Sequence, residues 1–323
     1  AGVIPGGIDT FIRGILRWAP SDIEISLVGV TTDQDARPVG QWTLCDLGRT
    51  KFKFFPVINL NNPAGRSKIP LSLRFSMGLV RKHPNIDADV LEFHRLEPSL
   101  VYFRDKRPRT AIEHQNMQNL AKKQSDILWS RFPGFFFWLE DRLIPRFTSV
   151  YAVREDAVAW YQERYPTIAH RFSFLPTWFD PEIFFPAEAG DVEDIRVALR
   201  RDLDFPDNFT IAITVGRLDS QKDPLLVAES FQYLAQKHDN TGLVFVGGGV
   251  LREDVESFVR EAGLTDRVRF AGLQPAEQVA NMLRASDLFV LGSAYEGMPM
   301  CCLLYTSPSP RDNDWYLVCR LLL

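Results

Sequence analysis

Two basic residues, Arg217 and Lys222, stand between a short apolar segment and an expected helix in the second half of the chain. The segment 209–215 has the composition of a buried strand, and the helix is expected to begin near Pro224. An Arg side chain grips a diphosphate with its planar guanidinium, and a Lys side chain adds a point charge. The pattern therefore indicates an anion-binding site at the carboxyl end of a strand, with solvated loop charges as the alternative.

Glycine-rich turns accompany other expected strands and helices. Gly247-Gly248-Gly249 follows one strand and lets the backbone approach a ligand closely. Another strand leads into a turn that contains Glu296 and Gly297, where a carboxylate can accept hydrogen bonds from sugar hydroxyls. Pro5-Gly6-Gly7-Ile8 opens the first helix and suits a phosphate, although such turns are also common in α/β sheets without a ligand.

Apolar segments alternate with helical periodicity along the chain, which is typical of doubly wound parallel sheets. The expected strands are 23–30, 90–94, 110–114, 149–153, 209–215, 241–246, 268–272 and 287–291, and the expected helices are 8–18, 71–82, 155–164, 224–237, 250–262 and 275–284. A proline-rich, acidic stretch interrupts the alternation. We therefore expect an N-terminal domain over 1–176, a link over 177–208 and a C-terminal domain over 209–301, with a cleft between the carboxyl ends of their strands.

The composition excludes several classes of protein. With 323 residues, 46% hydrophobic and 24% charged, the chain is neither disordered nor collagen-like. Apolar stretches such as Phe135–Leu139 are too short to span a membrane, and the four cysteines lack disulfide or zinc spacing. The net charge of −4 combines a basic first half with an acidic second half, which argues against nucleic-acid binding. The basic half either faces an anionic membrane or a phosphorylated acceptor, or is an uneven scatter of charge.

Five segments, GGIDTF, VGRLDSQKDP, FVGGG, RVRFAGL and SAYEGMP, occur in this order. Together they resemble the family 4 glycosyltransferases of the GT-B fold, in which two Rossmann-like domains face each other across a cleft. The resemblance covers roughly residues 1–301. It implies transfer of a sugar from a nucleotide diphosphate sugar with retention of anomeric configuration. It also implies that no metal is bound and that the donor substrate takes the place of a cofactor.

The resemblance assigns roles to individual residues. The predicted catalytic residues are Glu296, which binds the donor sugar, and His114, which follows an N-domain strand beside donor and acceptor; a structural histidine is the alternative for His114. The predicted donor-binding residues are Gly6, Gly7, Arg217, Lys222, Gly248, Leu273, Gly297 and Met298. One position departs from the family: Leu304 stands where a second glutamate holds the ribose hydroxyls. We therefore expect weak donor binding.

Three other features have separate interpretations. Asp87-Ala88-Asp89 and Asp202-Leu203-Asp204 resemble a metal-binding DxD motif, but the first leads into a strand and the second lies in the expected link, so we expect no metal site. The basic and aromatic segment 122–147 is either a core helix with charged ends or a membrane-interface helix. Reverse translation of 302–323 permits DNA that resembles sequencing adapters, so this tail is expected to be non-native.

The sequence thus predicts a retaining hexosyltransferase that acts on a lipid-linked or polysaccharide precursor. The expected location is the cytoplasm, with peripheral contact at the inner membrane face left open. Two alternatives remain: a GT-B sugar-nucleotide epimerase and a non-catalytic sugar-nucleotide-binding subunit.

Overall fold

The computed structural model describes residues 7–61, 71–114, 133–185 and 189–293. The chain divides into two compact units, Ala1–Thr177 and Trp178–Leu323, and each has an α/β architecture. Among the predicted site residues, Gly6, Glu296, Gly297 and Met298 lie outside the described residues, as do Leu304 and the tail 302–323.

The first unit contains two sheets. Its elements are α1 (Gly7–Trp18), β1 (Ile25–Thr31), β2 (Thr43–Leu47), β3 (Thr50–Asn59), α2 (Leu71–Lys82), β4 (Leu91–Phe93), β5 (Arg109–Glu113), α3 (Pro133–Leu143), β6 (Ser149–Ala152), α4 (Glu155–Arg164) and β7 (Phe172–Phe174). One sheet has the strand order β1-β3-β2, and the other runs β4-β5-β6-β7 with all strands parallel. Apolar residues of β3, β4, β5 and β6 share one core with α3 and α4, so the two sheets pack as one unit.

The hairpin formed by β2 and β3 was not among the expected elements. Gly48, between the two strands, has a φ of 61°, which a glycine adopts without strain. Strand β3 pairs in parallel with β1 on its other side. The alternation of Lys51 and Lys53 with Phe52 and Phe54 was the available signal for a half-buried strand.

The second unit contains one doubly wound parallel sheet. Its elements are α5 (Ala189–Asp202), β8 (Thr210–Val215), α6 (Pro224–Ala235), β9 (Thr241–Val246), α7 (Arg252–Glu261), β10 (Val268–Gly272), α8 (Ala276–Ala285) and β11 (Leu288–Phe289). The strand order is β10-β9-β8-β11. The chain adds β9 and β10 on one side of β8 and then places β11 on the other, so the order reverses between β8 and β11. Ligands of such sheets bind at this switch point, outside the carboxyl ends of the strands.

The two faces of this sheet carry different helices because strand side chains alternate between faces. Ile211, Ile213 and Val244 pack in one core cluster with residues of α5 and α8. Ala212 and Phe245 pack in another with residues of α6 and α7. All residues of β9 are buried, because helices cover both faces of the sheet at this strand.

The segment 177–208, expected as a link, includes helix α5, which is bound to the sheet of the second unit. Asp287, at the start of β11, forms ion pairs with Arg196 and Arg200 of α5 and accepts a hydrogen bond from the Ile211 amide at 2.8 Å. Basic residues of this stretch therefore hold helix α5 against the sheet of the second unit. The domain boundaries at 176 and 209 remain a prediction.

Helix α3, in the aromatic segment that was expected to be a core helix or a membrane-interface helix, has both buried and exposed aromatic residues. Phe136, Leu139 and Leu143 are buried in the core of the first unit. Phe135 and Trp138 stay 54% and 52% exposed, with ring centroids 5.7 Å apart. The buried stripe explains the core-helix pattern, and Phe135 and Trp138 stack on the more exposed side of the helix.

Candidate functional site

The loop after β8 is joined to the loop after β9 by backbone hydrogen bonds. Gly216 donates to the carbonyl of Val246 at 2.9 Å, and Leu218 donates to the carbonyl of Gly248 at 3.0 Å. Leu251 in turn donates to the carbonyl of Leu218 at 3.0 Å. These bonds hold the segment that carries Arg217 and Lys222 at the carboxyl edge of the sheet.

The glycine triplet after β9 allows this loop contact. Gly247 has a φ of 135°, and an added Cβ would lie 1.9 Å from the carbonyl oxygen of Gly216. An added Cβ at Gly249 would lie 2.2 Å from the carbonyl oxygen of Leu218. Close ligand approach was the expected reason for these glycines, and the structure shows that Gly247 and Gly249 are required by backbone packing. Donor contact by Gly248, which is half-buried, stays a prediction.

Both predicted phosphate-binding cations lie in this loop. The guanidinium of Arg217 contacts Oδ2 of Asp219 at 2.6 Å and donates to Oε1 of Gln221 at 3.1 Å, and its side chain is about half exposed. The Lys222 side chain runs along Gly216, where an added Cβ would be 3.5 Å from its Cε. The two charges therefore belong to one short loop, and Arg217 is already oriented by partners that a ligand can replace.

The amino end of α6 lies at the same point and is capped by a carboxylate. Asp223 precedes the helix with a φ of 43°, and its side chain accepts a hydrogen bond from the Leu226 amide. Gly292, beyond β11, lies against this turn, since an added Cβ would be 3.0 Å from the carbonyl oxygen of Asp223. The loop of β8, the start of α6 and the segment after β11 thus meet at the switch point. Two cations and a helix amino end favour an anion there.

An apolar surface borders the same edge of the sheet. Leu273, which follows β10, is 58% exposed, and Val250, in the loop after β9, is 86% exposed. Exposed apolar residues next to a cationic loop suit a nucleobase attached to a diphosphate. Leu273 thus lies at the carboxyl end of β10, and the expectation that its backbone meets the nucleobase of the donor stays a prediction.

In the first unit, His114 directly follows β5 and lies beside a second histidine. Nε2 of His114 is 3.0 Å from Nδ1 of His94, and the two rings stack with centroids 5.3 Å apart. Nε2 of His94 is 3.1 Å from Oε1 of Glu92. Phe11 of α1 packs edge-on against His114 at a centroid distance of 4.9 Å. His94 was not among the predicted site residues, although it follows strand β4 just as His114 follows β5.

Burial sets the protonation of this histidine and of its neighbour in the chain. It lowers the pKa of His114 to about 3, with His94 as a further cause, so the imidazole is neutral at physiological pH. Burial also raises the pKa of Glu113 to about 8, with Glu140 and Glu97 as further causes. Both side chains are therefore neutral near pH 7, and neither places a charge next to the other.

The remaining predictions concern Gly7, metal binding and membrane spans. Gly7 begins α1 and is exposed, and an added Cβ would meet no atom of the described chain within 4 Å. Over the described ranges, no group of three His, Cys, Asp or Glu side chains could hold a metal ion. No helix in the same ranges is long and apolar enough to cross a membrane.

The fold matches that of glycosyltransferases of known structure. Sucrose-phosphate synthase from Thermosynechococcus elongatus aligns with a TM-score of 0.69 over 94% of this chain and 75% of that chain, at 17% identity. Anabaena HepE, solved in complex with UDP and glucose, aligns with a TM-score of 0.55 over 80% of this chain and 66% of that chain, at 16% identity. The predicted α/β fold class of GT-B type is confirmed by these likenesses, which show the fold alone.

Sequence comparison adds a family match in the second unit. Residues 196–303 match the family model described as Glycosyl transferases group 1. The UDP-Gal:alpha-D-GlcNAc-diphosphoundecaprenol alpha-1,3-galactosyltransferase of Escherichia coli is 34% identical over 137 residues, which cover 41% of this chain and 33% of that relative. The chain thus spans about a third of this curated relative in the match. The matched family segment contains Arg217, Lys222, Gly248 and Leu273.

Proposed function

We propose that the protein is a retaining glycosyltransferase that moves a hexose from a nucleotide diphosphate sugar to a lipid-linked or polysaccharide precursor. The main support is the position of Arg217 and Lys222 at the switch point of the second sheet, inside the segment that matches the group 1 glycosyltransferases. A cationic loop beside an exposed apolar edge fits a nucleoside diphosphate, whose charge and base need those two surfaces.

The two cations act on the leaving group. As the bond between sugar and diphosphate breaks, negative charge develops on the departing phosphate oxygen. Arg217 and Lys222 interact more strongly with this charge in the transition state than with the intact donor in the ground state. Only such a difference lowers the barrier. Fixed side-chain cations supply the charge that a divalent metal supplies elsewhere, so we propose metal-independent transfer. Glu296 binds hydroxyls of the donor sugar, and His114 contributes a neutral imidazole to donor and acceptor binding.

The proposed acceptor is attached to a lipid or a growing polysaccharide. The name of the E. coli relative includes a diphosphoundecaprenol acceptor, which supports a lipid-linked substrate here. Helix α3 offers Phe135 and Trp138 on its exposed side, with the guanidinium of Arg142 5.3 Å from the Trp138 ring centroid. Aromatic rings with a flanking cation suit an anionic membrane surface. We therefore propose peripheral contact with the inner membrane from the cytoplasm.

Sugar transfer can be tested with a panel of radiolabelled UDP-, ADP- and GDP-hexoses and a diphosphoundecaprenol-linked acceptor. We expect one donor to yield glycosylated lipid with the anomeric configuration of the donor, as read by NMR of the product. Arg217→Ala and Lys222→Ala should lower the rate, while the exposed Lys237→Ala should not. Donor binding without any transfer would indicate a binding subunit, and interconversion of donor sugars would indicate an epimerase.

A further inference from the structure

The pair His94 and His114 results from the parallel pairing of β4 with β5. Phe93 pairs with Ala111 in this register, so both strands end at the same edge of the sheet. The residues that follow them meet there, with Nδ1 of His94 3.0 Å from Nε2 of His114. This distance is that of a hydrogen bond, and one of the two nitrogens must carry the shared proton.

Glu92 decides which nitrogen of His94 carries a proton. Its carboxylate oxygen lies 3.1 Å from Nε2 of His94, and an ionised carboxylate can only accept. The negative charge of Glu92 therefore favours a proton on Nε2 of His94. In the neutral form of the His94 ring, a proton on Nε2 leaves a lone pair on Nδ1, and Nδ1 of His94 then accepts from Nε2–H of His114.

The same reasoning extends to the second nitrogen of His114. Burial keeps His114 neutral near pH 7, so its ring holds one N–H. With that proton on Nε2, Nδ1 of His114 is a hydrogen-bond acceptor. Phe11 packs edge-on against both rings, with centroids 4.9 Å from His114 and 5.8 Å from His94, and opposes rotation of either imidazole.

We propose that His94, held by Glu92, is a positioning residue that fixes His114 as the Nε2–H tautomer and makes its Nδ1 the acceptor for a substrate hydroxyl. The inference deepens the proposed function, because it rests on His114 lying beside donor and acceptor. It adds a specific chemical requirement: the group that meets Nδ1 of His114 is a hydrogen-bond donor, such as a sugar hydroxyl.

The tautomer can be measured without substrate. The chain has five histidines, so selective ¹⁵N labelling of imidazoles gives a small set of signals at pH 8. We expect the wild-type His114 ring to show a protonated Nε2 and an unprotonated Nδ1. His94→Phe keeps an aromatic ring against His114 but removes both nitrogens, and should give a mixture of tautomers. His94→Asn places an amide oxygen near the former Nδ1 and should restore the Nε2–H form.

Kinetics provide the second readout. His94→Phe should lower kcat about tenfold to a hundredfold, the range found for partners that orient metal-bound imidazoles, with KM for the donor changed less than about threefold. His94→Asn should recover most of the rate, and Glu92→Ala should fall between the two. His170→Phe is the matched control, since His170 is exposed ahead of β7, and it should change neither readout.

The results separate this inference from the proposed function. An unchanged His114 tautomer in folded His94→Phe, or a protonated Nδ1 in the wild type, would overturn the positioning role even if sugar transfer is observed. A tautomer that shifts as expected in a protein that transfers no sugar would support the positioning and contradict the proposed function. If His94→Phe does not fold, the comparison of Glu92→Ala with the wild type decides the question.

Discussion

Replacing Arg217 with alanine tests the central electrostatic argument. A hydrogen bond from a cation to a phosphate contributes about 1.5–3 kcal/mol. In the free protein Arg217 contacts Asp219 at 2.6 Å, and an exposed ion pair of this kind stabilises by about 0.2–1 kcal/mol, which must be given up on binding. The net loss in Arg217→Ala is therefore about 0.5–2.8 kcal/mol. This corresponds to about a 2- to 110-fold weaker affinity for a nucleoside diphosphate.

Asp219 provides a variant with the opposite expected sign. Asp219→Asn removes the negative charge beside Arg217, while its Oδ1 can still accept from the Lys222 amide, a bond of 3.1 Å in the wild type. The Arg217 guanidinium then no longer has to break an ion pair with residue 219 before it binds the diphosphate. We expect nucleoside diphosphate binding to tighten by up to about fivefold, which is the exposed ion-pair energy expressed as an affinity ratio.

Isothermal titration calorimetry with UDP, ADP and GDP measures both effects. Lys222→Ala should weaken binding about tenfold or more, since it removes one charge-assisted contact. Lys237→Ala, beyond the end of α6, should leave the affinity unchanged. Equal affinities of the wild type, Arg217→Ala and Lys222→Ala for a nucleotide that binds would refute the assignment of these two cations to the diphosphate. Weaker binding in Asp219→Asn would refute the argument that Arg217 gives up its ion pair with Asp219 on binding the nucleotide.

Other parts of the two units give expectations for stability and activity. Gly247→Ala should cost about 3 kcal/mol or more because its Cβ would overlap a carbonyl oxygen, whereas Gly263→Ala, with a φ of 68° and no described atom within 4 Å of the new Cβ, should cost about 1 kcal/mol; equal thermal midpoints would contradict this. The pKa values of Glu113 and Glu140, about 8 and 7, exceed their ordinary 4.5, so the folded state holds extra protons and stability should fall as pH rises from about 4.5 to 8. In urea denaturation at several pH values, Glu113→Gln should reduce the dependence of stability on pH. An unaltered dependence would contradict the raised pKa of Glu113. Asp287→Ala leaves two arginines of α5 unpaired and should cost about 3–5 kcal/mol, so a loss under about 1 kcal/mol would show that α5 is not anchored this way. EDTA should leave sugar transfer intact, and activity lost to EDTA and regained with Mg²⁺ or Mn²⁺ would contradict metal independence.

Most regular elements could be predicted from local patterns. The helices 71–82 and 155–164 and the strands 241–246 and 268–272 have the expected bounds, because their apolar periodicity is complete within each segment. The β2–β3 hairpin and helix α5 were not predicted. Each depends on contacts outside its own segment: β3 pairs with β1, and α5 is bound through Asp287.

Some residues of the candidate site could likewise be found from local sequence patterns, and others could not. Arg217 and Lys222 could be found because a strand, a glycine and the start of a helix occur within a few residues of each other. His94 carried the same type of signal, a histidine directly after a strand, but its importance depends on β4 being the neighbour of β5. The reason for Gly247 and Gly249 also depended on the position of the β8 loop.

The sequence by itself determined which segments become strands and helices, and that two cations follow one of those strands. These properties depend on side chains a few residues apart, whose spacing alone sets burial on one face of an element. Only the tertiary structure decided the strand orders β4-β5-β6-β7 and β10-β9-β8-β11. Strand order decides which loops meet, because backbone hydrogen bonding joins segments of any separation in the chain. It therefore brought His114 to His94, 20 residues away, and the turn beyond β11 to the cationic loop after β8.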